Sequence, residues 1–392
     1  MNRLLPAVLA CHFLAAFTVL GMPLFMPRLV AEFGLAQTSP WVGVLYSLPA
    51  VLTALSAPLW GRFADRYGRK VSLLRALAGL SLAFLLAGLA PSLGWFVLAL
   101  MLQGLFGGTL AAANGYLAAS QSREQLARAL NWTQFTARLA LVCAPIGLGL
   151  LAAAFPVRQL YLWLALLPLA ALVLAMSLPG EGHASAKARA QREAGDAAAP
   201  GHWLWAAMAL QFLFFFAMVA TFPYFLPYAE QLVAEPALIG LLYSLPHLVY
   251  LLVQPLAHRW QLPWRPALLG GLALQLLACL WQFQLHSLVA LSAARLLFGL
   301  GVWLGFQGLN QLIGRLTRSH NAGSWFGKLD AVGKSAGVLA GLVAAWLSAG
   351  QGVHAPFVAA ALACAGGLLL LAFFTMETHT DGSPAHLDRT VK

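Results

Sequence analysis

His12, Arg138, His247, Arg295, Asp330 and Lys334 lie deep inside long apolar runs of this 392-residue chain. A cation held away from water can bind an anion, and a carboxylate or imidazole there can carry a proton. Asp330 precedes Lys334 by one helical turn, the favourable order for an acid and base on one face. These residue types support binding and proton transfer, with no machinery for making or breaking bonds. The chain contains no GxxxxGK[ST] phosphate loop, no HExxH and no GxSxG in a plausible setting, so neither an enzyme nor an organic cofactor is expected. Cys11, Cys143, Cys279 and Cys364 all fall in apolar runs without CxxC or Cys/His spacing, and read as small packing residues, with no metal expected.

The elements that position these residues follow from composition. Hydrophobic residues make up 61% and charged residues 9%, where a soluble protein carries roughly a quarter charged residues. Too little polar surface remains for a water-soluble particle. Apolar runs near 4–30, 41–60, 71–91, 93–118, 128–154, 158–178, 203–232, 237–257, 266–285, 287–314, 324–350 and 354–375 each match the roughly 20 residues of a membrane span. The expected fold is an all-α integral membrane protein of twelve transmembrane helices, with the lipid bilayer as a partner. The first run is read as a retained helix, since no small-residue cleavage site follows Arg3.

Arg62, Arg66, Arg69 and Lys70, then Arg123 and Arg128, Lys187, Arg189 and Arg192, Arg259 and Arg265, and Arg315 and Arg318 fall in alternate loops, on the side of both termini. The opposite loops hold only Arg28 and Arg158 at their edges. The positive-inside rule then places the termini in the cytoplasm, in the cytoplasmic (inner) membrane. The net charge of +11 is accounted for by this girdle, and no nucleic-acid partner is expected.

The chain repeats itself. Gly43-Val44-Leu45-Tyr46-Ser47-Leu48-Pro49 matches Gly240-Leu241-Leu242-Tyr243-Ser244-Leu245-Pro246, Pro58 matches Pro255, and Pro23 and Pro27 match Pro223 and Pro227. Prolines at corresponding depths bend helices and free backbone groups toward a cavity. The expected organisation is a six-helix bundle over 1–178, a cytoplasmic linker over 179–202, a second bundle over 203–375 and a tail over 376–392, acting as a monomer. Arg138 and Lys334 differ by nearly the repeat offset, and each lies about 15 Å into its span at 1.5 Å per residue. Gln134 stands at the repeat position of Asp330.

Gly61-Arg62-Phe63-Ala64-Asp65-Arg66-Tyr67-Gly68-Arg69-Lys70, with the twelve spans and the duplication, resembles the signature loop between helices 2 and 3 of the major facilitator superfamily. Ala144-Pro145-Ile146-Gly147-Leu148-Gly149 is similar to a degraded form of the Gly-Pro motif of its drug:proton antiporters. The resemblance implies a gradient-driven secondary transporter, with Gly61, Asp65, Arg66, Gly68 and Arg69 as a conformational latch between the halves. It also implies that helices 3, 6, 9 and 12 face lipid, and their interiors are read as free of charge. The second half has lost the motif at His258-Arg259-Trp260-Gln261-Leu262-Pro263, so one latch is expected.

Asp330 is the first choice as proton carrier, with His247 and His12 behind it. Arg138, Lys334 and Arg295 outnumber Asp330, so the cavity is expected to prefer a small anionic or carboxylate-bearing molecule, such as a siderophore or a drug-like compound. Tyr46, Gln134, Tyr243, Trp303, Gln307 and Asn310 complete the expected substrate contacts, with Trp132, Phe135 and Phe212 as further rings. Proton-coupled export of such a molecule is expected; uptake or facilitated diffusion of an organic acid or other nutrient is the alternative, with a non-transporting membrane sensor behind it.

Overall fold

The computed structural model describes residues 4–120, 123–180, 201–255, 262–284, 287–316 and 322–380. Most of the proposed linker and the end of the tail fall outside them. The described residues form helices and no strands: α1 (Leu4–Glu32), α2 (Trp41–Tyr67), α3 (Arg69–Gly88), α4 (Leu93–Ser120), α5 (Arg123–Ala152) and α6 (Val157–Met176) in the first half. The second half holds α7 (Gly201–Ala220), α8 (Pro236–Val253), α9 (Trp264–Phe283), α10 (Leu288–Leu316), α11 (Ala322–Gln351) and α12 (Ala355–Thr380). Eleven are long and apolar enough to cross a membrane, and α7 contributes a shorter apolar stretch, Trp205–Ala220. This is a multi-pass membrane protein.

The duplication is visible in the packing. In the first half α1 packs on α5 and α6, and α4 on α2 and α3; in the second, α7 packs on α11 and α12, and α10 on α8 and α9. The halves meet through α5 on α8 and α2 on α11, which exchange under the same repeat.

Prolines interrupt the first helix of each half at the same depth. α1 passes through a tight 3₁₀ turn at Met22–Phe25 around Pro23 before resuming at Met26–Glu32. α7 stops at Ala220, turns through Pro223 and resumes as the short segment Phe225–Ala229, so the seventh apolar run is not one helix to residue 232. A proline cannot donate to the preceding turn, and its ring pushes that turn away. Pro49 and Pro246 lie inside α2 and α8. α2 also runs past residue 60 to Tyr67, so Gly61 through Tyr67 form its last two turns, and the chain turns at Gly68, whose φ of 98° favours glycine.

One expectation about the lipid-facing helices fails. Arg75 lies within α3, where its guanidinium stacks on Trp60 at 3.6 Å and donates to the Phe106 carbonyl at 3.0 Å, beside the break in α4 at Gly107 and Gly108. The ring and the freed carbonyl give the cation a partner that the linear sequence does not display.

Candidate functional site

The end bearing Gly61 to Lys70 is called the basic end, and the other the far end. At the far end the halves are sealed. Ser47 on α2 donates to the Val338 carbonyl of α11 at 3.1 Å, and its repeat mate Ser244 on α8 reaches the Leu141 and Val142 carbonyls of α5 at 3.2 Å. A Cβ on Gly43 would collide with the Gly341 carbonyl, and one on Gly240 with the Pro145 carbonyl. Gly149 lies equally tight on Pro236 and Ala237. The Ala144 to Gly149 segment is therefore a close-packing device of the far-end seam. Further out, Arg28 pairs with Glu230 across the halves at 2.7 Å, and the Tyr224 hydroxyl donates to the Ser39 carbonyl at 2.8 Å.

The two serine bonds fix the register of the charged residues. Arg138 precedes Val142 by four residues, as Lys334 precedes Val338, so both cations stand one turn toward the basic end from the seal. Arg138 lies midway along α5, half-buried, and is held entirely by the other half. Its Nη1 donates to His247 Nδ1 at 3.3 Å, and its guanidinium lies over the Tyr250 ring at 4.5 Å and the Phe306 ring at 4.9 Å. Each ring contributes roughly 0.5–2 kcal/mol to holding a desolvated cation. Among the described residues the ion pairs are Arg28 with Glu230 and Arg69 with Asp65, so no described carboxylate neutralises Arg138.

Arg295 does not share this setting between the halves. It is fully buried in α10 and donates from Nε to the Leu242 carbonyl at 3.1 Å and from Nη2 to the Tyr243 carbonyl at 2.9 Å. The Leu242 carbonyl is the one orphaned by Pro246, four residues on, which has no N–H to give. Gly299 lets α10 lie against that proline, and Phe225 covers the guanidinium at 4.5 Å. Arg295 is thus a structural cap on a proline kink, out of reach of a solute in this conformation.

Other expected contacts divide by exposure. Trp303 is buried and, with Gln307, donates to the Gln254 amide oxygen of the turn after α8, at 3.1 and 3.0 Å. His12 is buried within the first half, where its Nδ1 meets the Thr136 hydroxyl at 2.9 Å. That hydroxyl donates to the Thr133 carbonyl, so Nδ1 carries the hydrogen and His12 serves the α1 to α5 contact. Tyr243 is buried against Phe222 and Phe225, and Tyr46 interacts electrostatically with it from the other half. Phe212 is partly buried and stacks on Phe216. Gln134, Trp132, Phe135, Asn310 and Lys334 are exposed toward the basic-end half of their helices. Asp330 has its backbone in α11, and its side chain lies outside the described residues.

The motif's described contacts stay in its own half. Asp65 pairs with Arg69, Arg66 lies over the Tyr67 ring, and Lys70 donates to the Met176 and Leu178 carbonyls at the end of α6. Nothing described lies within 4 Å of a Cβ on Gly61, so no described helix approaches closely there in this conformation. The hydrogen bonds, ion pair and tightest glycine contacts described between the halves all lie at mid-depth or beyond, toward the far end.

Sequence reasoning missed Tyr250, Phe306, Gln254 and the Arg28 to Glu230 clasp. Tyr250 follows His247 by three residues, a spacing that shares a helical face and was available as a signal.

Two repeat-related six-helix bundles, closed at one end and holding between them a cation that no described carboxylate neutralises, define a duplicated helical membrane protein with a candidate site between its halves. The family model described as Major Facilitator Superfamily matches residues 8–232 and 207–389, and the chain belongs to that superfamily. It is similar to "Multidrug resistance protein MdtG" of Citrobacter koseri, 33% identical over 163 residues, and to the protein of that name from Escherichia coli O6:K15:H31 at 32%. Each match spans 41% of this chain and 40% of the relative. Among solved structures, the human organic anion transporter MFSD10 (TETRAN) is 19% identical with a TM-score of 0.70, covering 94% of this chain and 99% of that one. A bacterial homolog of the human lysosomal transporter Spinster, in an inward-facing and occupied conformation, is 14% identical with a TM-score of 0.75, covering 97% and 98%. At these identities the structures establish the fold alone.

Proposed function

We propose that the protein is a proton-coupled secondary transporter that exports a small anionic solute by alternating access, with Arg138 as the principal anion contact. The observation that carries this reading is the setting of Arg138: midway along its apolar helix, between the halves, held by an imidazole and two ring faces with no described carboxylate. A desolvated cation with only neutral partners gains most from an incoming anion. The rings favour a solute with an aromatic or apolar body beside its carboxylate or sulfonate. Carboxylate siderophores and acidic drugs both have that character. Lys334, at the equivalent register, supplies a second cation from the first pseudo-symmetric position of the other half. With the basic end in the cytoplasm, as the girdle argues, the described conformation would load from the cell interior. Export is proposed from the multidrug-resistance designation of the MdtG relatives, and the proton gradient is the proposed energy source. The test is binding and proteoliposome flux of salicylate, 2-naphthalenesulfonate and citrate, comparing the native protein with Arg138→Ala and Lys334→Ala. Loss of binding by at least tenfold in Arg138→Ala is expected; binding and flux equal to the native protein's would sink the proposal.

A further inference from the structure

Arginine can only donate, so the contact from Arg138 Nη1 requires His247 Nδ1 to be a bare acceptor. His247 is therefore neutral in this conformation, with its hydrogen on Nε2, which is buried and has no hydrogen-bond partner. The imidazole is 2% exposed. Around it stand Arg138 from α5, Arg295 from α10, and Tyr243 and Tyr250 of its own helix α8, with Tyr46 of α2 interacting with Tyr243. The turn after α7 presents the Phe222 ring at 6.0 Å, which carries no titratable group. Every charge that faces His247 among the described residues is positive.

Resting on the anion site proposed above, we infer that His247 binds the transported proton, and that proton and anion occupy the site together instead of displacing one another. An anion arriving at Arg138 competes for the guanidinium that holds Nδ1 and cancels the charge that opposes a second cation beside it. The freed Nδ1 takes up a proton, and the imidazolium then donates to the same anion, which becomes clamped by two cations. Linkage is reciprocal, so a proton placed on His247 first strengthens anion binding by the same factor. A site whose described charged and titrating groups are cations and an imidazole does not exchange a proton for an anion there, because exchange needs each to weaken the other. The proton and a monovalent anion then cross as a neutral pair. Export of the pair runs down the solute's own gradient with the proton leaving beside it, so co-binding replaces the inward proton gradient proposed above as the energy source and contrasts with the exchange implied by the resemblance to drug:proton antiporters.

The experiment is proton counting on the purified full-length protein with 2-naphthalenesulfonate and salicylate, both ionised from about pH 6 to about pH 8, where a histidine changes charge. A pH-indicator dye in weak buffer reads protons taken up per anion bound, and affinity is measured across the same range. Co-binding predicts net proton uptake and an affinity that tightens by up to about tenfold per unit fall in pH. His247→Gln, whose side-chain oxygen still accepts from Arg138 but does not titrate, is expected to bind with no pH slope, while His12→Gln keeps the slope. Proton release, or binding without proton uptake, in the native protein overturns the inference and leaves the anion site standing. A slope that persists in His247→Gln also overturns it, by assigning the proton elsewhere. Failure of the native protein to bind either anion overturns the anion site and this inference with it. If His247→Gln does not fold, the proton count on the native protein still decides the sign.

Discussion

Closure of the far end depends on two glycines related by the repeat, and Gly240→Ala tests that dependence directly. A Cβ built on Gly240 collides with the Pro145 carbonyl oxygen and comes within 2.6 Å of its carbon and 3.0 Å of Ile146 nitrogen. All three are backbone atoms, so no side chain can swing aside, and α8 must lift off α5. Overpacking of this kind costs about 1–3 kcal/mol. That penalty applies only where α5 and α8 touch at the far end, so it acts on one conformation and spares the other. At about 2 kcal/mol the ratio of far-end-closed to far-end-open protein falls by roughly 30-fold. Gly43→Ala, facing the Gly341 carbonyl, is expected to act the same way. Gly147→Ala is the control, on the same stretch of α5 but with Phe17 as its nearest neighbour at 3.8 Å. Spin labels at Ala36 and Ala234, exposed at the far end of opposite halves, report the separation by pulsed electron resonance. The native protein is expected to give mainly one short distance, and Gly240→Ala a longer one whose share relative to the short one rises by roughly that factor. A distribution for Gly240→Ala that matches the native protein, or a Gly147→Ala shift of equal size, refutes the reasoning.

Three further outcomes follow from the same geometry. The Arg28 and Glu230 side chains are 24% and 22% exposed, so their clasp contributes up to about 1 kcal/mol; Arg28→Glu is expected to open the far end several-fold, and adding Glu230→Arg to close it again, by the same distance measurement. Arg295→Gln leaves the Leu242 and Tyr243 carbonyls under-satisfied at about 1–3 kcal/mol each. Its melting temperature should fall while folded protein still binds 2-naphthalenesulfonate; loss of binding without loss of stability would return Arg295 to the solute site. Arg75→Leu removes the contacts to Trp60 and the Phe106 carbonyl, and lowered thermal stability with anion affinity retained is the expected result.

Span number, repeat and basic girdle were legible in the sequence because each is a property of composition along the chain. A bilayer requires about 20 apolar residues per helix wherever the helix stands. The paired prolines were equally legible, since a missing N–H interrupts a helix locally: Pro23 and Pro223 mark equivalent breaks. The depth of Arg138 and Lys334 followed from counting residues. What counting could not supply was the company each charge keeps. Arg138, His247 and Arg295 look alike in sequence, as charges in apolar helices. The crossing of α5, α8 and α10 separates them, placing Arg138 against a bare imidazole nitrogen and Arg295 against a carbonyl orphaned by Pro246. A side chain's partner is set by helix rotation and packing between segments 53 residues apart for Arg295 and 109 for Arg138. The sequence by itself determined that this protein crosses the membrane as two related halves with a few buried charges; the tertiary structure decided which charge faces the interface and which one holds a helix together.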